Sequence, residues 1–540
     1  MTRSEAENAS ATSAGAGEAG FAGWALGGPL SALLGLIALV QLGSWWPHYL
    51  TWPYWADHDV FATAARAWDL GERPYRDTRL NNLPGTIYLF YGLGKLAGWG
   101  RPAGLYAFDG GLLAMFVAAL VAWSRRRFGS FVPGWVGSLA FLSYYLGLDY
   151  SHAAQRDWHA PCLVLLALLL AQGWPGRASF VLSALLSALG LATRPQVVLF
   201  LPAVILAIGD GTQPAATASR RMRRGVTWLA LFGGLVALAF APLALSGVMG
   251  DFLRSLRMVS YGSKYNRVGP ATLAKAWFVQ AAAFRWLVVP AGVVLLGRRG
   301  GTSTSEWRTA RAWLLALAGA SLYKPISPMA HTYLDLPLVL AWSVNLSVLA
   351  ALVTSATATP APFRLAAVLG LLGMGATTVR PEFCVVGPNV RAAAVLRSGV
   401  EPEAEPPGYR HGSVRTSAYY PWADYRDALG YLRAHTATTT RVANALKGDP
   451  AIASEVGRPS AFPAESIAWL RMVNPADEGA FVEALGRVGD SVVVWSPGEP
   501  GPDPLFRVDR LEAEIRRLYA FGVRFGIIEI WRRRPETFKP

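Results

Sequence analysis

Ionisable side chains that could do chemistry are concentrated in one polar segment near the start of the chain, residues 45–84. This segment contains the triplet Asp57-His58-Asp59. A carboxylate at a membrane surface can take the proton of an acceptor hydroxyl while that oxygen attacks an activated sugar carbon, which is general-base catalysis. Asp57 is therefore the candidate base and Asp59 its support, although the spacing alone leaves open which of the two acts. The alternative is a solvated loop at the start of a helix.

A second cluster of ionisable groups stands at residues 150–161, YSHAAQRDWHAP. Asp157 is a candidate catalytic residue that would orient a histidine or the acceptor, and Arg156 and His159 are candidate substrate contacts. The alternative is an interfacial cap in which Arg156 and Asp157 neutralise one another. A divalent cation is a further candidate ligand, but the spacing matches no recognised set of metal ligands, so we predict no metal site and no certain cofactor.

The composition places both clusters in a membrane protein. The chain has 540 residues, of which 53% are hydrophobic and 16% are charged, a profile typical of repeated membrane spans. The net charge of +15 does not predict nucleic-acid binding, because most basic residues stand in short clusters between apolar runs. Two cysteines, Cys162 and Cys384, provide neither a disulfide framework nor metal-ligand spacing.

Apolar runs predict a mainly α, polytopic membrane helix bundle over residues 24–380, preceded by a disordered cytoplasmic tail at 1–23. At about 20 residues per crossing they give roughly eleven spans. These runs are 24–44, 104–123, 131–148, 159–173, 178–193, 196–209, 226–246, 276–297, 312–323, 333–352 and 363–379. With the N-terminus inside, every inward loop is basic, as the positive-inside rule requires. The first outer loop, residues 45–103, then includes Thr86–Gly100 as an interfacial or re-entrant helix.

Basic residues on the outer face depart from this charge rule and need their own cause. Arg194 and Lys324 stand on predicted turns between apolar runs, and Lys264 lies in a longer outer loop at 247–275. Guanidinium and ammonium groups placed there can bind the phosphate of a lipid and stabilise it as a leaving group. For the longer loop, the alternative is an amphipathic interfacial helix with snorkelling side chains.

The composition changes beyond residue 380, where charges, prolines and glycines become frequent. Amphipathic helical patterns alternate with strand-like runs at 491–496 and 525–532, which predicts a soluble extracytoplasmic α/β domain over 381–540. This part contains no glycine-rich nucleotide fingerprint and no nucleophile motif. A soluble nucleotide-sugar donor is therefore disfavoured.

The first outer loop resembles that of the GT-C superfamily of polytopic membrane glycosyltransferases. More narrowly, it is similar to the bacterial protein O-mannosyltransferase and aminoarabinose-transferase-like group. The similarity is carried by DHDVFATAARAWDLGERPYRDTRLNNLPGTIYLF, although relatives have an Asp-Glu pair where this chain has Asp-His-Asp. The positions that match the family's first-loop acid, its G-x-x-P-Y-x-D and its P-G are Asp57, Gly71, Pro74, Tyr75, Asp77, Pro84 and Gly85.

The resemblance implies an inverting glycosyltransferase that takes a sugar from a polyprenyl-phosphate-linked donor. Its acceptor would be an extracytoplasmic cell-envelope glycan, lipid or protein. It also implies residence in the bacterial cytoplasmic membrane, among membrane lipids, with the active site and the C-terminal domain on the periplasmic face. On the same basis Arg76 and Asp77 are predicted to contact substrate, and His331 and Tyr333 are predicted to approach the donor phosphate.

Two other classes of protein remain as alternatives. A transporter or flippase of lipid-linked glycans would carry charged residues within its spans and would have paired halves. The sequence shows few charges at mid-span depth and no inverted repeat, which favours the enzyme. A non-catalytic membrane scaffold with an outer binding domain would tolerate neutralisation of Asp57 and Asp157.

Overall fold

The structure is a computed structural model that describes most of the helical runs predicted from the sequence. The described residues are 28–80, 82–148, 150–210, 217–266, 268–272, 274, 304–326, 332–354, 405, 406, 409, 420–446, 451–464, 467, 478–497 and 508–535. The predicted tail at 1–23 and the predicted spans at 276–297 and 363–379 lie outside them.

Before residue 355, all named secondary-structure elements among the described residues are helices. The first helices in chain order are α1 (Gly28–Tyr49), α2 (Ala56–Asp69), α3 (Pro84–Ala97), α4 (Ala103–Phe128), α5 (Val132–Tyr145), α6 (Arg156–Gly173) and α7 (Arg177–Thr193). A 3-10 helix (Pro195–Phe200) follows, and then α8 (Leu201–Asp210), α9 (Ala218–Leu245), α10 (Met249–Asn266), α11 (Thr304–Ile326), a second 3-10 helix (Thr332–Asp335) and α12 (Leu336–Thr354).

Within the described residues, four helical stretches are long and apolar enough to cross a membrane: α1, α4, α9 and Tyr333–Ala351. The predicted mainly helical membrane architecture is confirmed at this level. The predicted run 196–209 differs from a continuous α-helix, because it is divided into the first 3-10 helix and α8. Pro195 and Pro202 explain the division, since proline lacks a backbone N–H and favours the first turn of a helix. The count of roughly eleven spans stays a prediction.

Helix α4 shows how the sequence ends a span. Its last turn carries Arg125, Arg126 and Arg127, one of the predicted inward clusters, and cations at this end are favoured by the helix dipole. Gly129 follows with φ +75°, and its N–H donates to the Arg125 carbonyl at 3.0 Å. Only glycine adopts this left-handed conformation without steric cost, so the helix stops there.

Helices α2 and α3 lie within residues 45–103, the predicted first outer loop. Pro84 occupies the first position of α3, and Gly98, with φ +97°, terminates it through an N–H bond to the Gly94 carbonyl at 3.1 Å. The resulting 14-residue helix is too short to cross a bilayer, because a crossing needs about 20 residues. Its predicted interfacial or re-entrant placement remains a prediction.

The C-terminal part combines helices with a four-stranded sheet. Its elements are α13 (Trp422–His435), β1 (Arg441–Ala445), α14 (Ile452–Glu455), α15 (Glu478–Arg487), β2 (Ser491–Trp495), α16 (Asp509–Leu518), β3 (Tyr519–Phe525) and β4 (Ile528–Arg533). The strand order is β1-β2-β4-β3, with β1 and β2 parallel and the other pairs antiparallel. Both strand-like runs seen in the sequence thus contain strands, β2 and β4. The domain boundary at residue 381 lies outside the described residues and stays a prediction.

The C-terminal part packs directly on the segment predicted as the first outer loop. Arg441 forms a salt bridge with Glu72, with 2.6 Å between Nη2 and Oε1. The backbone N–H of Arg79 donates to the Pro463 carbonyl at 2.6 Å. One hydrophobic core contains residues of the helical bundle and of the sheet together. The segment that carries the candidate base therefore has direct contacts with the C-terminal part.

Candidate functional site

Asp57 lies in the first turn of α2 and is partly buried. It makes no hydrogen bond or salt bridge that involves another described residue, while its charge acts on Arg156 and Tyr333. Asp59 follows two positions later, which on an α-helix is a rotation of about 200°. Its buried carboxylate accepts a hydrogen bond from the Thr63 hydroxyl at 3.1 Å. Of the two carboxylates, Asp57 is therefore the one whose charge reaches the arginine of the second polar cluster.

Asp157 stands in the first turn of α6 with a side chain that is 1% exposed. Arg194, immediately after α7, binds it with two parallel hydrogen bonds, Nε to Oδ1 at 2.8 Å and Nη2 to Oδ2 at 2.7 Å. The Tyr323 hydroxyl on α11 also donates to Oδ1, at 3.1 Å. Bidentate pairing of this kind fixes both direction and distance. Asp157 therefore ties together the ends of α6, α7 and α11.

Arg156 is the neighbour of Asp157, but its guanidinium group is used differently. The side chain is 11% exposed, and Nε lies 4.0 Å from Asp157 Oδ2. Its guanidinium carbon lies 4.6 Å from the centre of the Phe61 ring. Among the described residues neither Nε nor Nη1 has a hydrogen-bond partner. Buried N–H donors strongly favour an acceptor, so Arg156 is suited to bind an anionic oxygen near Asp57.

Tyr333 completes this group from the second 3-10 helix. It is 8% exposed, and its electrostatic neighbours include Asp57, Asp157, Arg156 and Arg194. The structure thus brings together six residues from five parts of the chain, which we call the acid–arginine cluster. Its members are Asp57, Arg156, Asp157, Arg194, Tyr323 and Tyr333.

Several predicted site residues have other partners. Lys324 forms a buried salt bridge with Asp335 at 2.8 Å. Arg76 donates to the Asp251 carboxylate at 2.8 Å and to the Gly247 carbonyl at 2.7 Å, which joins the first loop to α10. Asp77 accepts hydrogen bonds from the backbone and side chain of Arg73. The side chain of Lys264 and the whole of His331 lie outside the described residues.

His159 contacts a buried acid that the sequence reasoning did not single out, Asp109 on α4. The two are 2.5 Å apart, between Nε2 and Oδ1, and Asp109 is 0% exposed. A sequence signal for Asp109 exists, because it is a lone carboxylate within the apolar run 104–123. Ionisable residues inside a span are costly and have a function by default.

The described residues provide no ligand set for a metal ion. No group of three or more histidine, cysteine, aspartate or glutamate side chains is close enough there to hold an ion.

Gly85 allows α3 to approach the end of α7 closely, and Arg194 is the next residue after α7. A Cβ atom at this position would lie 2.7 Å from the carbonyl carbon and oxygen of Ala192 and 2.9 Å from the Thr193 nitrogen. We expect Gly85→Ala to destabilise the protein by about 1–3 kcal/mol, because backbone atoms on both helices must move apart. Thermal unfolding in nanodiscs measures the change.

Gly92 in the same helix provides the matched control. A Cβ atom there would have nothing within 4 Å. Gly92→Ala should therefore be neutral or stabilising by up to about 1 kcal/mol, because alanine has the higher helix propensity. Equal melting temperatures of the two variants would contradict the close α3–α7 contact.

His58 predicts a pH-dependent stability. Burial lowers the pKa of His58 to about 4. The charges of Asp57 and Asp109 raise this pKa, and His159 lowers it further. Its Nδ1 accepts the Trp55 N–H at 3.2 Å, which requires a ring unprotonated at that nitrogen. As the pH falls from about 6.5 towards 4, the unfolded chain gains a proton that the folded chain does not. Folding is therefore progressively disfavoured in this window.

His58→Gln removes this titration while retaining a polar side chain. Between pH 6.5 and pH 5 we expect wild type to lose about 1.5 kcal/mol of unfolding free energy relative to the variant. Denaturant unfolding at both pH values measures the difference. Parallel pH dependence of the two proteins would show that the folded chain protonates His58 as readily as the unfolded one.

Comparison with known proteins adds information about the fold. No protein-family model and no curated protein sequence matches the chain. The crystal structure of ArnT from Cupriavidus metallidurans in the apo state is similar, with a TM-score of 0.56 and 14% identity over 94% of this chain and 98% of that chain. The structure of the same protein bound to undecaprenyl phosphate gives a TM-score of 0.54 and 14% identity over 94% and 99%. The chain therefore shares its overall fold with ArnT.

Proposed function

We propose that this protein is a multi-pass membrane glycosyltransferase of GT-C type. It transfers a sugar from a polyprenyl-phosphate-linked donor to an extracytoplasmic cell-envelope glycan, lipid or protein. The observation that carries the proposal is the acid–arginine cluster: a carboxylate with free lone pairs, Asp57, beside a buried guanidinium with free N–H groups, Arg156. This combination serves a reaction in which a hydroxyl loses a proton while a phosphate leaves.

Asp57 is the general base of the proposed reaction. The acceptor oxygen attacks the anomeric carbon and gives its proton to Asp57, as the bond between that carbon and the phosphate oxygen breaks. The electron pair of the broken bond stays on the polyprenyl phosphate. A single displacement of this kind inverts the anomeric carbon. Asp59 is a supporting residue, because its carboxylate already accepts the Thr63 hydroxyl.

Arg156 stabilises the leaving phosphate, since its unfilled N–H groups can donate to oxygens on which negative charge develops. Tyr333 shares the same electrostatic surroundings, Asp57 and Arg156 among them, and is a second proposed contact of the phosphate. Arg194 contributes indirectly. Its guanidinium group is hydrogen-bonded to Asp157, and this ion pair fixes the first turn of α6, which carries Arg156. Lys324 is paired with Asp335, which joins the end of α11 to the second 3-10 helix, where Tyr333 lies.

The fold also bears on the alternative of a transporter. A carboxylate does lie in the long apolar helix α4, but Asp109 accepts three side-chain hydrogen bonds, and its Oδ1 also lies 2.5 Å from Nε2 of His159. A group that is fully hydrogen-bonded has no lone pair left for a transported ion. The undecaprenyl phosphate in one ArnT crystal further supports a polyprenyl-phosphate partner here. By the charge rule of the sequence, the site would face the periplasm of a bacterial cytoplasmic membrane.

Two measurements on purified protein in nanodiscs test the proposal. Polyprenyl phosphate should raise the melting temperature, whereas polyprenol, which lacks only the phosphate, should not. A radiolabelled pool of polyprenyl-phosphate sugars should give labelled acceptor in an envelope extract, and soluble nucleotide sugars should not. A protein that neither distinguishes the two lipids nor transfers label would contradict the proposed function.

A further inference from the structure

Asp109 is the most completely hydrogen-bonded carboxylate near the acid–arginine cluster, although it belongs to neither polar loop. Its Oδ2 accepts the Tyr49 hydroxyl at 2.5 Å and the Tyr145 hydroxyl at 2.6 Å. Its Oδ1 accepts the Trp158 indole N–H at 2.8 Å and lies 2.5 Å from His159 Nε2. An ionised carboxylate has about four acceptor positions, and all four are used here. Both oxygens of the side chain must accept hydrogen bonds here. Asparagine cannot replace aspartate in this role, because its amide nitrogen is not an acceptor.

The donors come from elements that surround the start of α6. Tyr49 ends α1, and Tyr145 ends α5. Trp158 and His159 directly follow Arg156 and Asp157 in the first turn of α6. Successive residues of an α-helix are rotated by about 100° about its axis. Fixing Trp158 and His159 on one side thus determines the directions in which Arg156 and Asp157 point.

The same network also reaches the residue that precedes this turn. The Tyr145 hydroxyl, while donating to Asp109, accepts the backbone N–H of Ala154 at 3.0 Å. Ala154 has φ +53°, a conformation that costs a non-glycine residue of order 1–3 kcal/mol and persists only where surrounding contacts hold it. Asp109 consequently fixes the chain on both sides of Arg156 and Asp157.

We infer that Asp109 is a positioning residue, which holds the Ala154–His159 segment so that Arg156 lies near Asp57 and Asp157 meets Arg194. The inference rests on the proposed function for its effect on catalysis, but its structural content stands independently. Asp109 does not touch the proposed substrate. It acts through Trp158, His159 and, by way of the Tyr145 hydroxyl, the Ala154 backbone.

Asp109→Asn tests this inference with little change in side-chain volume. A displacement of about 1 Å at a catalytic group can cost 10²-fold in rate. We therefore expect kcat for sugar transfer to fall about 10²-fold, with a smaller change in the KM of the donor. A cryo-electron microscopy structure of the variant should show the Ala154–His159 segment displaced relative to α2, with α4 and α5 unchanged.

Two further variants complete the experiment. Tyr145→Phe removes the hydroxyl that links Asp109 to Ala154, and it replaces the aspartate variant if that one does not fold. Ser138→Ala is the control, because Ser138 is also buried on α5 but its hydroxyl has no hydrogen-bond partner among the described residues. It should alter neither kcat nor the segment.

The outcomes separate the two proposals. If wild type transfers sugar and folded Asp109→Asn transfers at the same kcat with an unchanged segment, Asp109 is not a positioning residue. If wild type neither binds polyprenyl phosphate nor transfers sugar, the proposed function is wrong. The cryo-electron microscopy comparison then decides the role of Asp109 by itself: a displaced segment supports it, and an unchanged one overturns it.

Discussion

Asp57→Asn is expected to lower the rate of sugar transfer by about 10²- to 10⁴-fold, the usual contribution of a general base. Asparagine keeps the size and polarity of the side chain but cannot take up the acceptor proton. The melting temperature should stay close to that of wild type, because Asp57 has no hydrogen-bond or salt-bridge partner among the described residues and is only partly buried. Initial rates with a radiolabelled donor pool, measured beside thermal unfolding, give both quantities.

Asp59→Asn is the matched control for this substitution. The amide oxygen of asparagine can still accept the Thr63 hydroxyl, which is 3.1 Å from Asp59 Oδ1. Transfer by this variant should therefore remain within a few-fold of wild type. If the two variants exchanged behaviours, Asp59 would be the base, and wild-type rates in both would remove the catalytic role of this loop.

The sequence was sufficient to predict that ionisable residues cluster in short segments between apolar helices. Asp57, Arg156 and Asp157 stand in short polar segments between long apolar runs, and the cost of burying charge in hydrocarbon makes such segments the natural place for a site. Element types were predictable for the same reason, because apolar length and strand-like alternation are local properties. Thus α3 and the strands β2 and β4 lie where the patterns indicated.

The partners of those charges were not predictable, because they depend on tertiary packing. Local reasoning offered only the neighbouring Arg156 as an ion-pair partner of Asp157, in the alternative reading of this segment, whereas the closest guanidinium belongs to Arg194, 37 positions away. Lys324 looked available for a phosphate, yet it forms a buried salt bridge with Asp335 on the second 3-10 helix. Asp109 collects donors from α1, α5 and α6, and no spacing in the sequence reveals such a convergence.

Asp157→Asn is expected to impair both stability and transfer, unlike Asp57→Asn. Its carboxylate is 1% exposed and neutralises the Arg194 side chain, which is itself 12% exposed. Removing one partner of a buried ion pair leaves the other charge uncompensated, which typically costs about 3–5 kcal/mol. The turn that holds Arg156 would lose its anchor at the same time, so transfer should fall by at least about 10²-fold. Thermal unfolding and initial rates in nanodiscs measure the two effects separately.

A double variant distinguishes loss of the ion pair from loss of a catalytic carboxylate. Asp157→Asn with Arg194→Met removes both charges, so the penalty for an isolated buried guanidinium disappears and part of the stability should return. Transfer should not return, because the double variant still lacks the Asp157–Arg194 ion pair that holds the turn carrying Arg156. A double variant no more stable than Asp157→Asn would show that the pair is solvated rather than buried. Recovery of transfer along with stability would show that the pair acts only by holding the helices together.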